Sequence, residues 1–181
     1  MKQLLQWTFA LAIALSVSAC PAPTPVVPTP SASPDGLVSA AYAATLLSPA
    51  QGLVAQVTNG QVRYSADDAQ VRLEAGPGAS ATVINLLSVT YVYTDPYGEE
   101  AALAPVEHPI APVAVPAGSP QGAASATVTV PLANSSLSDL FLGPNPPSQA
   151  IARVQFITSA GDTLQDRSQS DLTLNVPINR Q

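Results

Sequence analysis

Residues 54–65 read VAQVTNGQVRYS, two short runs in which apolar and polar side chains alternate. Asn59-Gly60 lies between the runs, and this dipeptide between alternating runs is the strongest short-range signal of a β-hairpin. The predicted pairs are Val57 with Val62 and Ala55 with Tyr64 on one face, and Gln56 with Arg63 and Thr58 with Gln61 on the other. One face is apolar and the other polar, so the sequence predicts a hairpin with one consistent register.

Alternation with a period of two continues along most of the chain after this hairpin. The longest strand signal is residues 81–94 (ATVINLLSVTYVYT), where the alternation slips at Asn85-Leu86 and so predicts a bulge. Residues 95–98 (DPYG) predict a type I turn, with acid first, proline second and glycine fourth, and residues 99–103 then return as a strand. The predicted inward rows are Val71, Leu73 and Ala75; Leu87, Val89, Tyr91 and Tyr93; Ala126, Val128, Val130 and Leu132; and Leu172, Leu174, Val176 and Ile178.

Two segments give weaker patterns. Residues 37–47 (LVSAAYAATLL) suit either a helix or a strand, because they are alanine-rich and apolar all round. The proline-rich residues 105–120 contain one short strand candidate, Val113–Val115, which we expect at the edge of a sheet because proline cannot donate to a central ladder.

One short helix is predicted among the strands. Ser136–Asp139 resembles a capping box, the apolar face comprises Leu137, Leu140 and Phe141, and Gly143-Pro144 ends the helix. Eight or nine short strands lie in contexts that suit antiparallel pairing, and no βαβ spacing favours a parallel sheet. The predicted fold class is all-β: an antiparallel two-sheet β-sandwich with a short helix in a crossover loop, and an open barrel is the alternative.

The span from residues 82–100 (TVINLLSVTYVYTDPYGEE) to residues 153–178 (RVQFITSAGDTLQDRSQSDLTLNVPI) resembles the immunoglobulin-like domains of bacterial surface lipoproteins. The resemblance is one of strand pattern, of the immunoglobulin or fibronectin-III kind, and implies a sandwich with Greek-key connections. The inter-sheet disulfide and buried tryptophan of antibody domains have no counterpart here, since the sequence has one cysteine and one tryptophan, both in the first 20 residues.

The leader of the chain has the composition of a secretory signal. Met1-Lys2-Gln3 supplies a positive start, residues 4–15 are apolar, and residues 16–19 are small. The apolar run is too short for a transmembrane helix of about 20 residues. We therefore interpret residues 1–19 as a signal peptide, which ordinary signal peptidase could remove to leave a secreted protein that begins at Cys20.

Val17-Ser18-Ala19-Cys20 also resembles the lipobox of bacterial lipoproteins, an aliphatic residue and two small ones before a cysteine. The resemblance implies cleavage between Ala19 and Cys20 and a diacylglyceryl group on the Cys20 thiol. Several acyl chains anchor a protein durably, whereas one holds it only marginally. Pro21 is not the aspartate that is associated with inner-membrane retention in some bacteria, which favours the outer membrane.

Residues 20–36 follow as a proline-rich tether, with proline at 21, 23, 25, 28, 30 and 34. Such a run forms neither helix nor ladder and extends at about 3.1 Å per residue where it is ordered. We interpret it as a stalk between the lipidated Cys20 and the folded domain, residues 37–181. A ligand for a proline-binding module is the alternative.

Composition narrows the function classes. Hydrophobic residues make up 46% of the 181 residues, so a folded core is expected. The net charge is −6 and the arginines are scattered at positions 63, 72, 153, 167 and 180, which excludes a basic patch for nucleic acid or anionic lipid. The predicted partners are the membrane, through the Cys20 anchor, and a protein of the bacterial envelope.

Catalytic and metal-binding patterns are weak. His108 is the one histidine, Glu107-His108-Pro109 is expected to be a solvated loop, and no nucleophile elbow accompanies it. One histidine with a lipidated cysteine cannot supply a zinc site. Acids cluster at Asp67-Asp68 and at Asp95, Glu99 and Glu100, but turn chemistry and solubility explain them without calcium. We expect no enzyme activity, cofactor or metal.

The sequence thus predicts a lipid-anchored, extracytoplasmic module of the cell envelope with a structural or protein-interaction role. The alternative is a surface module that recognises a glycan or small ligand through loops at one end of the sandwich. Tyr97, at a turn tip, is the candidate ligand-binding ring, whereas Tyr91 and Tyr93 are expected in the core.

Overall fold

The computed structural model describes residues 41–119 and 123–181, which contain ten β-strands and one α-helix. Two sheets contain these strands. In chain order the elements are β1 (Tyr42–Ser48), β2 (Leu53–Thr58), β3 (Gln61–Tyr64), β4 (Asp68–Ala75), β5 (Thr82–Thr94), β6 (Glu100–Ala102), β7 (Val106–Val115), β8 (Ala124–Pro131), α1 (Ser135–Leu142), β9 (Gln149–Thr158) and β10 (Thr173–Arg180).

The smaller sheet has three antiparallel strands in the order β1-β4-β8. Residues 37–47 suited either a helix or a strand, and from Tyr42 onward they form the strand β1. Residues 37–40 lie outside the described residues. The inward rows of β4 and β8 follow the predicted alternation: Val71, Leu73, Ala75, Val128 and Val130 are fully buried.

The larger sheet has seven strands in the order β3-β2-β10-β9-β5-β6, with β7 also paired to β5. Most of its pairs are antiparallel, as expected. However, β2 and β10 are parallel, with Leu53 opposite Ile178 and Ala55 opposite Arg180. The expectation of purely antiparallel pairing was therefore wrong, because two strands far apart in sequence can meet in parallel without a βαβ crossover.

The hairpin of β2 and β3 has the register that the sequence predicts: Ala55 pairs with Tyr64, Gln56 with Arg63, Val57 with Val62 and Thr58 with Gln61. Asn59 and Gly60 both have positive φ angles, 52° and 72°. Asparagine and glycine tolerate this left-handed conformation, which the two central positions of the tightest hairpin turns require.

The predicted bulge in β5 is confirmed, since the register of β5 shifts between Ile84 and Leu86 against both β7 and β9. The expectation of one short strand at Val113–Val115 was wrong in its extent. β7 starts at Val106 and is ten residues long, pairing along β5 at the sheet's edge. Its prolines are compatible with a strand because an edge strand has one side that donates to no neighbour.

The predicted helix is confirmed as α1, but its start differs. Asn134, not Ser136, is the N-cap, and its side chain accepts a hydrogen bond of 2.7 Å from the Ser136 N–H. Asn134 caps the helix in place of Ser136 because its side-chain amide oxygen reaches the Ser136 N–H directly. Leu137 and Phe141 are fully buried, and Gly143 is the C-cap.

The buried faces of the two sheets contribute to one hydrophobic cluster, which α1 joins through Leu137 and Phe141. Its largest fully buried side chains include Tyr91, Phe141, Phe156, Leu53 and Leu73. No buried polar or charged residue was found among the described residues. The described chain is therefore all-β with one short helix, built as two sheets on a common apolar core.

Candidate functional site

Tyr97 lies at the tip of the β5–β6 hairpin, and the turn there is held by several hydrogen bonds. The Gly98 N–H donates to the Asp95 carbonyl at 3.0 Å, and the Asp95 N–H donates to the Glu99 carbonyl at 2.9 Å. The Asp95 carboxylate oxygen Oδ1 also accepts the N–H groups of Tyr97 and Glu99, each at 2.9 Å. The turn predicted for residues 95–98 is confirmed, and Asp95 has the turn role that its position predicts.

This turn presents the Tyr97 ring to solvent. Tyr97 is 90% exposed, the highest among the exposed large hydrophobic side chains of the described residues. Gly98 follows with a φ angle of 86°, a conformation that side-chain-bearing residues rarely adopt, and no atom lies within 4 Å of where its Cβ would be. The hairpin therefore fixes the backbone beneath an exposed aromatic ring.

A cleft of about 370 Å³ lies beside this ring's turn, lined by Thr94, Asp95 and Pro96 on one side and by residues 144–147 on the other. We call it the tip cleft. Residues 144–147 (PNPP) include three of its four prolines. The lining is mainly polar despite its prolines, and Asp95 is its one charged residue.

The loop that forms the far wall of the tip cleft is positioned by α1. Buried Phe141 anchors the last turn, and the Gly143 N–H donates to the Leu140 carbonyl at 3.3 Å. The Arg180 Nε donates to the Phe141 carbonyl at 3.1 Å, so the end of β10 satisfies a helix carbonyl that has no partner within the helix. The wall is therefore tied to the core and to β10.

A second cleft of about 170 Å³ lies against β5 and β9 and shares Thr94 and Pro147 with the tip cleft. Tyr93 and Glu100 line it. The Glu100 carboxylate accepts two hydrogen bonds from the Arg153 Nη2, at 3.1 and 3.2 Å. Acidic Asp95 and Glu99 are close by in sequence, and Arg180 lies nearby at the end of β10, so this end of the sheet carries charges of both signs.

Tyr91 lies in the core as predicted, whereas Tyr93 is half-buried and also lines the second cleft. The Tyr91 hydroxyl donates to the Leu132 carbonyl at 2.9 Å. Burial, with a smaller contribution from the charge of Tyr64, raises the pKa of Tyr91 well above its ordinary value. The sequence missed the exposed edge of Tyr93, because alternation assigns a face but not a degree of burial.

The sequence predicted a solvated loop at His108, and this prediction was wrong. His108 lies within β7 opposite buried Leu87, so its side chain is on the inward face, and it is half-buried. Its Nε2 is buried and has no hydrogen-bond partner among the described residues. Pro109 and Pro112, which lie within this strand, obscured the period-two pattern of Val106, His108 and Ile110.

A third cleft of about 420 Å³ lies at the other end of β5, and no sequence pattern predicted it. Tyr42, Thr82 and Asp162 are among its lining residues, and the Tyr42 hydroxyl donates to the Ser80 carbonyl at 2.6 Å. In the neighbouring loop, hydrogen bonds from Ser168 to the Asp166 carboxylate lower the pKa of Asp166. These contacts organise the β9–β10 connection.

Cys20 and Ala19 lie outside the described residues, so the lipid-attachment and cleavage predictions remain predictions. In residues 41–119 and 123–181, no three histidine, cysteine, aspartate or glutamate side chains form a group that could hold a metal ion. No helix in this part of the chain is long and apolar enough to cross a membrane.

Comparison with known proteins gives little. No protein-family model and no curated protein matches this chain. Among solved structures, the alkylpurine DNA glycosylase AlkC of Pseudomonas fluorescens, bound to DNA containing an abasic-site analogue, has a TM-score of 0.29 and 12% identity. The match covers 77% of this chain but 31% of that chain, so this chain spans about a third of that protein's length. A likeness this distant carries no argument about fold or function.

Proposed function

We propose that this chain is a lipid-anchored module of the bacterial cell envelope, with a two-sheet domain that serves a structural or protein-interaction role outside the cytoplasm. The observation that carries the proposal is the order of the first 36 residues: an apolar leader, Val17-Ser18-Ala19-Cys20, and a proline-rich tether. A leader, an acylated cysteine and a stalk are what a surface-displayed domain needs in order to stand off a membrane.

The domain itself is proposed to be an immunoglobulin-like β-sandwich. Two sheets that share one apolar cluster support this architecture, as does the predominantly antiparallel pairing. Domains of this kind present loops at the ends of the sheets and free strand edges at the sides, and both are surfaces on which a protein partner can bind.

The anchor is tested by growing cells that express the full chain with an alkyne-bearing fatty acid and detecting the label on the purified protein. The wild-type chain is expected to be labelled and Cys20→Ser to lose the label. Tyr97→Ala, which leaves residues 17–20 intact, is the matched control and should be labelled like the wild type. Labelling that persists in Cys20→Ser contradicts the anchor.

A second candidate function is recognition of a glycan or small ligand at the β5–β6 tip. Its specific support is the 90% exposure of Tyr97 next to the tip cleft, because an exposed aromatic ring on a fixed backbone can stack on a sugar face. A glycan array probed with the full chain tests it. Binding should be lost in Tyr97→Ala and retained in Leu47→Ala, an exposed apolar side chain on β1. An array with no bound glycan contradicts this candidate.

A further inference from the structure

The free edge of β8 has main-chain groups that no described strand pairs with. β8 is the last strand of the smaller sheet and, among residues 41–119 and 123–181, pairs with β4 alone. The Leu132 N–H donates to the Asp67 carbonyl at 3.0 Å, which marks this position as a hydrogen-bonded pair. In antiparallel sheets such pairs alternate, so Val130 and Val128 also bond to β4, whereas Thr129 and Thr127 direct their N–H and C=O groups away from it.

Two observations support this assignment. On the other side of β4, the Gly76 N–H donates to the Ala41 carbonyl, so the even-numbered residues of β4 bond to β1 and the odd-numbered ones are left for β8. Pro131 pairs with Asp68 and belongs to the residues whose main-chain groups point away from β4. Proline has no N–H to donate, so this position costs no hydrogen bond to β4. The outward set of β8 is therefore Ser125, Thr127, Thr129 and Pro131.

The other edges of the two sheets are protected in ways that β8 is not. β3 packs against α1, where the Tyr64 and Ser138 hydroxyls are 3.0 Å apart. β6 is three residues long and contains Glu100, and β7 includes Pro109, Pro112 and a register shift. β1 is bulged between Leu46 and Ser48, and the Tyr42 N–H is bonded to the Gln165 carbonyl. Shortness, charge, proline and bulges are the usual protections of sheet edges, and residues 124–130 of β8 have none of them, although β7 of the larger sheet lies close to β8.

A groove of about 370 Å³ runs along this edge between β8 and β7. Thr127, Thr129 and Pro131 line one side, and Ile110, Ala111 and Val113 line the other. Asp68 lies at the Pro131 end and is the one charged residue of the lining. One wall therefore offers backbone hydrogen bonds, the other offers apolar contacts, and one end has a carboxylate.

We propose that an extended segment of a partner protein docks in this groove as an added strand beside β8. The partner strand would donate to and accept from the main chain of Thr127 and Thr129, and its alternate side chains would pack on Ile110 and Val113. Small or β-branched apolar side chains fit such a wall, and a lysine or arginine at one end complements Asp68. The inference gives a location to the protein-interaction role proposed above and rests on it.

The probe is an acetylated, amidated peptide Lys-Val-Thr-Val-Thr-Val-Thr with a fluorescent label, titrated into the full chain in detergent micelles. A second peptide has the lysine at its C-terminus. Because Asp68 is beside the C-terminal end of β8, an antiparallel strand places its N-terminus there and favours the first peptide, whereas a parallel strand favours the second. Amide resonances of Thr127 and Thr129 should shift on binding, and their hydrogen exchange should slow.

Two peptides with N-methyl groups on alternate amides provide the sharpest test and require no change in the protein. A docked strand directs one alternate set of amides at β8 and the other at solvent. Methylation of the first set should weaken binding at least tenfold, and methylation of the second should change it by less than threefold. Equal effects of the two patterns overturn the proposal, since apolar adhesion does not distinguish them.

In the protein, Thr129→Pro removes one outward N–H without removing a donor to β4, and should weaken binding at least tenfold. Thr129→Ala is the matched control: it keeps the N–H and loses the hydroxyl that accepts from the Gln70 Nε2 at 2.9 Å. It should bind within threefold of the wild type. Wild-type chain that leaves the Thr127 and Thr129 amides unshifted with both peptides overturns the proposal.

Protection of these amides without peptide, together with a concentration-dependent dimer in sedimentation, would assign the edge to a second copy of the chain and overturn docking of a partner strand. Fatty-acid labelling separates this inference from the anchor. Normal labelling without peptide binding contradicts the docking edge alone, and peptide binding without labelling contradicts the anchor alone.

Discussion

The hydroxyl of Tyr91, on β5 of the larger sheet, donates a 2.9 Å hydrogen bond to the main-chain carbonyl of Leu132, directly after β8 of the smaller sheet. Both side chains are fully buried. The bond therefore joins the two sheets inside the apolar core and satisfies a carbonyl where the chain leaves β8 for α1. In such surroundings an unsatisfied carbonyl costs about 1–3 kcal/mol.

Tyr91→Phe should lower the free energy of unfolding by about 1–2 kcal/mol, because it removes this donor while keeping the ring. Urea denaturation followed by circular dichroism measures the change. Tyr97→Phe, which removes a hydroxyl from a ring that is 90% exposed, is the control and should change stability by less than about 0.5 kcal/mol. Equal stabilities of Tyr91→Phe and the wild type would show that the bond contributes nothing.

Stability should fall at alkaline pH, starting near pH 10. Burial raises the pKa of Tyr91, and those of Tyr42 and Tyr64 are raised for the same reason. Above the ordinary tyrosine pKa of about 10 the unfolded chain releases phenol protons that the folded chain retains, so the unfolded state is favoured as pH rises. Urea midpoints from pH 8 to pH 11.5 should decrease, and the decrease should be smaller in Tyr91→Phe. A flat profile contradicts the prediction.

The turn under Tyr97 depends on the Asp95 side chain. Asp95→Ala removes the acceptor of two N–H groups and should cost about 1–2 kcal/mol, whereas Asp95→Asn keeps a carbonyl oxygen there and should cost less. Thermal melts of the two variants give the comparison. If Asn is as destabilising as Ala, the hydrogen bonds to Oδ1 do not hold the turn.

The ion pair between Glu100 and Arg153 should contribute little despite its two short hydrogen bonds. The two side chains are 66% and 42% exposed, so solvent and salt screen their attraction. A double-mutant cycle with Glu100→Gln and Arg153→Gln should give a coupling of less than about 1 kcal/mol, smaller still in 1 M salt. A coupling above about 2 kcal/mol would show that the pair is more desolvated than its exposure indicates.

Phe141→Ala should be the most destabilising of these changes, at about 3–5 kcal/mol, because it opens a cavity where α1 meets the core. Leu142→Ala is the matched control on the same helix, since Leu142 is 41% exposed and should lose less than about 1 kcal/mol. Urea midpoints measure both. A small loss in Phe141→Ala would mean that α1 can detach without disturbing the sheets.

Local chemistry explains which parts of the fold the sequence predicts. The β2–β3 register follows from Asn59-Gly60, because the turn residues and the alternating faces specify the same pairs. The exposure of Tyr97 follows in the same way, since the turn chemistry of residues 95–98 leaves that position at a tip. Where a single turn determines the strand register or the position of a side chain, the few residues of that turn are enough to predict it.

Features that depend on distant segments could not be predicted. The parallel pairing of Leu53 with Ile178 joins residues 125 positions apart, and no local pattern specifies it. The length of β7 was underestimated because Pro109 and Pro112 argue against a strand, unless that strand is known to lie at the edge of the sheet. The tip cleft needs the PNPP loop of residues 144–147 beside the β5–β6 turn, a contact that α1 and the Arg180 bond create.

The place of β10 in the larger sheet determines when the domain can form. β10 lies between β2 and β9, and Gln181, directly after β10, exchanges main-chain hydrogen bonds with Ala55 and Val57. The β2–β3 hairpin therefore gains its neighbour in the larger sheet only when residues 173–181 pair with it. Segments far apart in sequence must therefore meet before the larger sheet is complete, which makes its folding slower than that of a sheet built from hairpins alone.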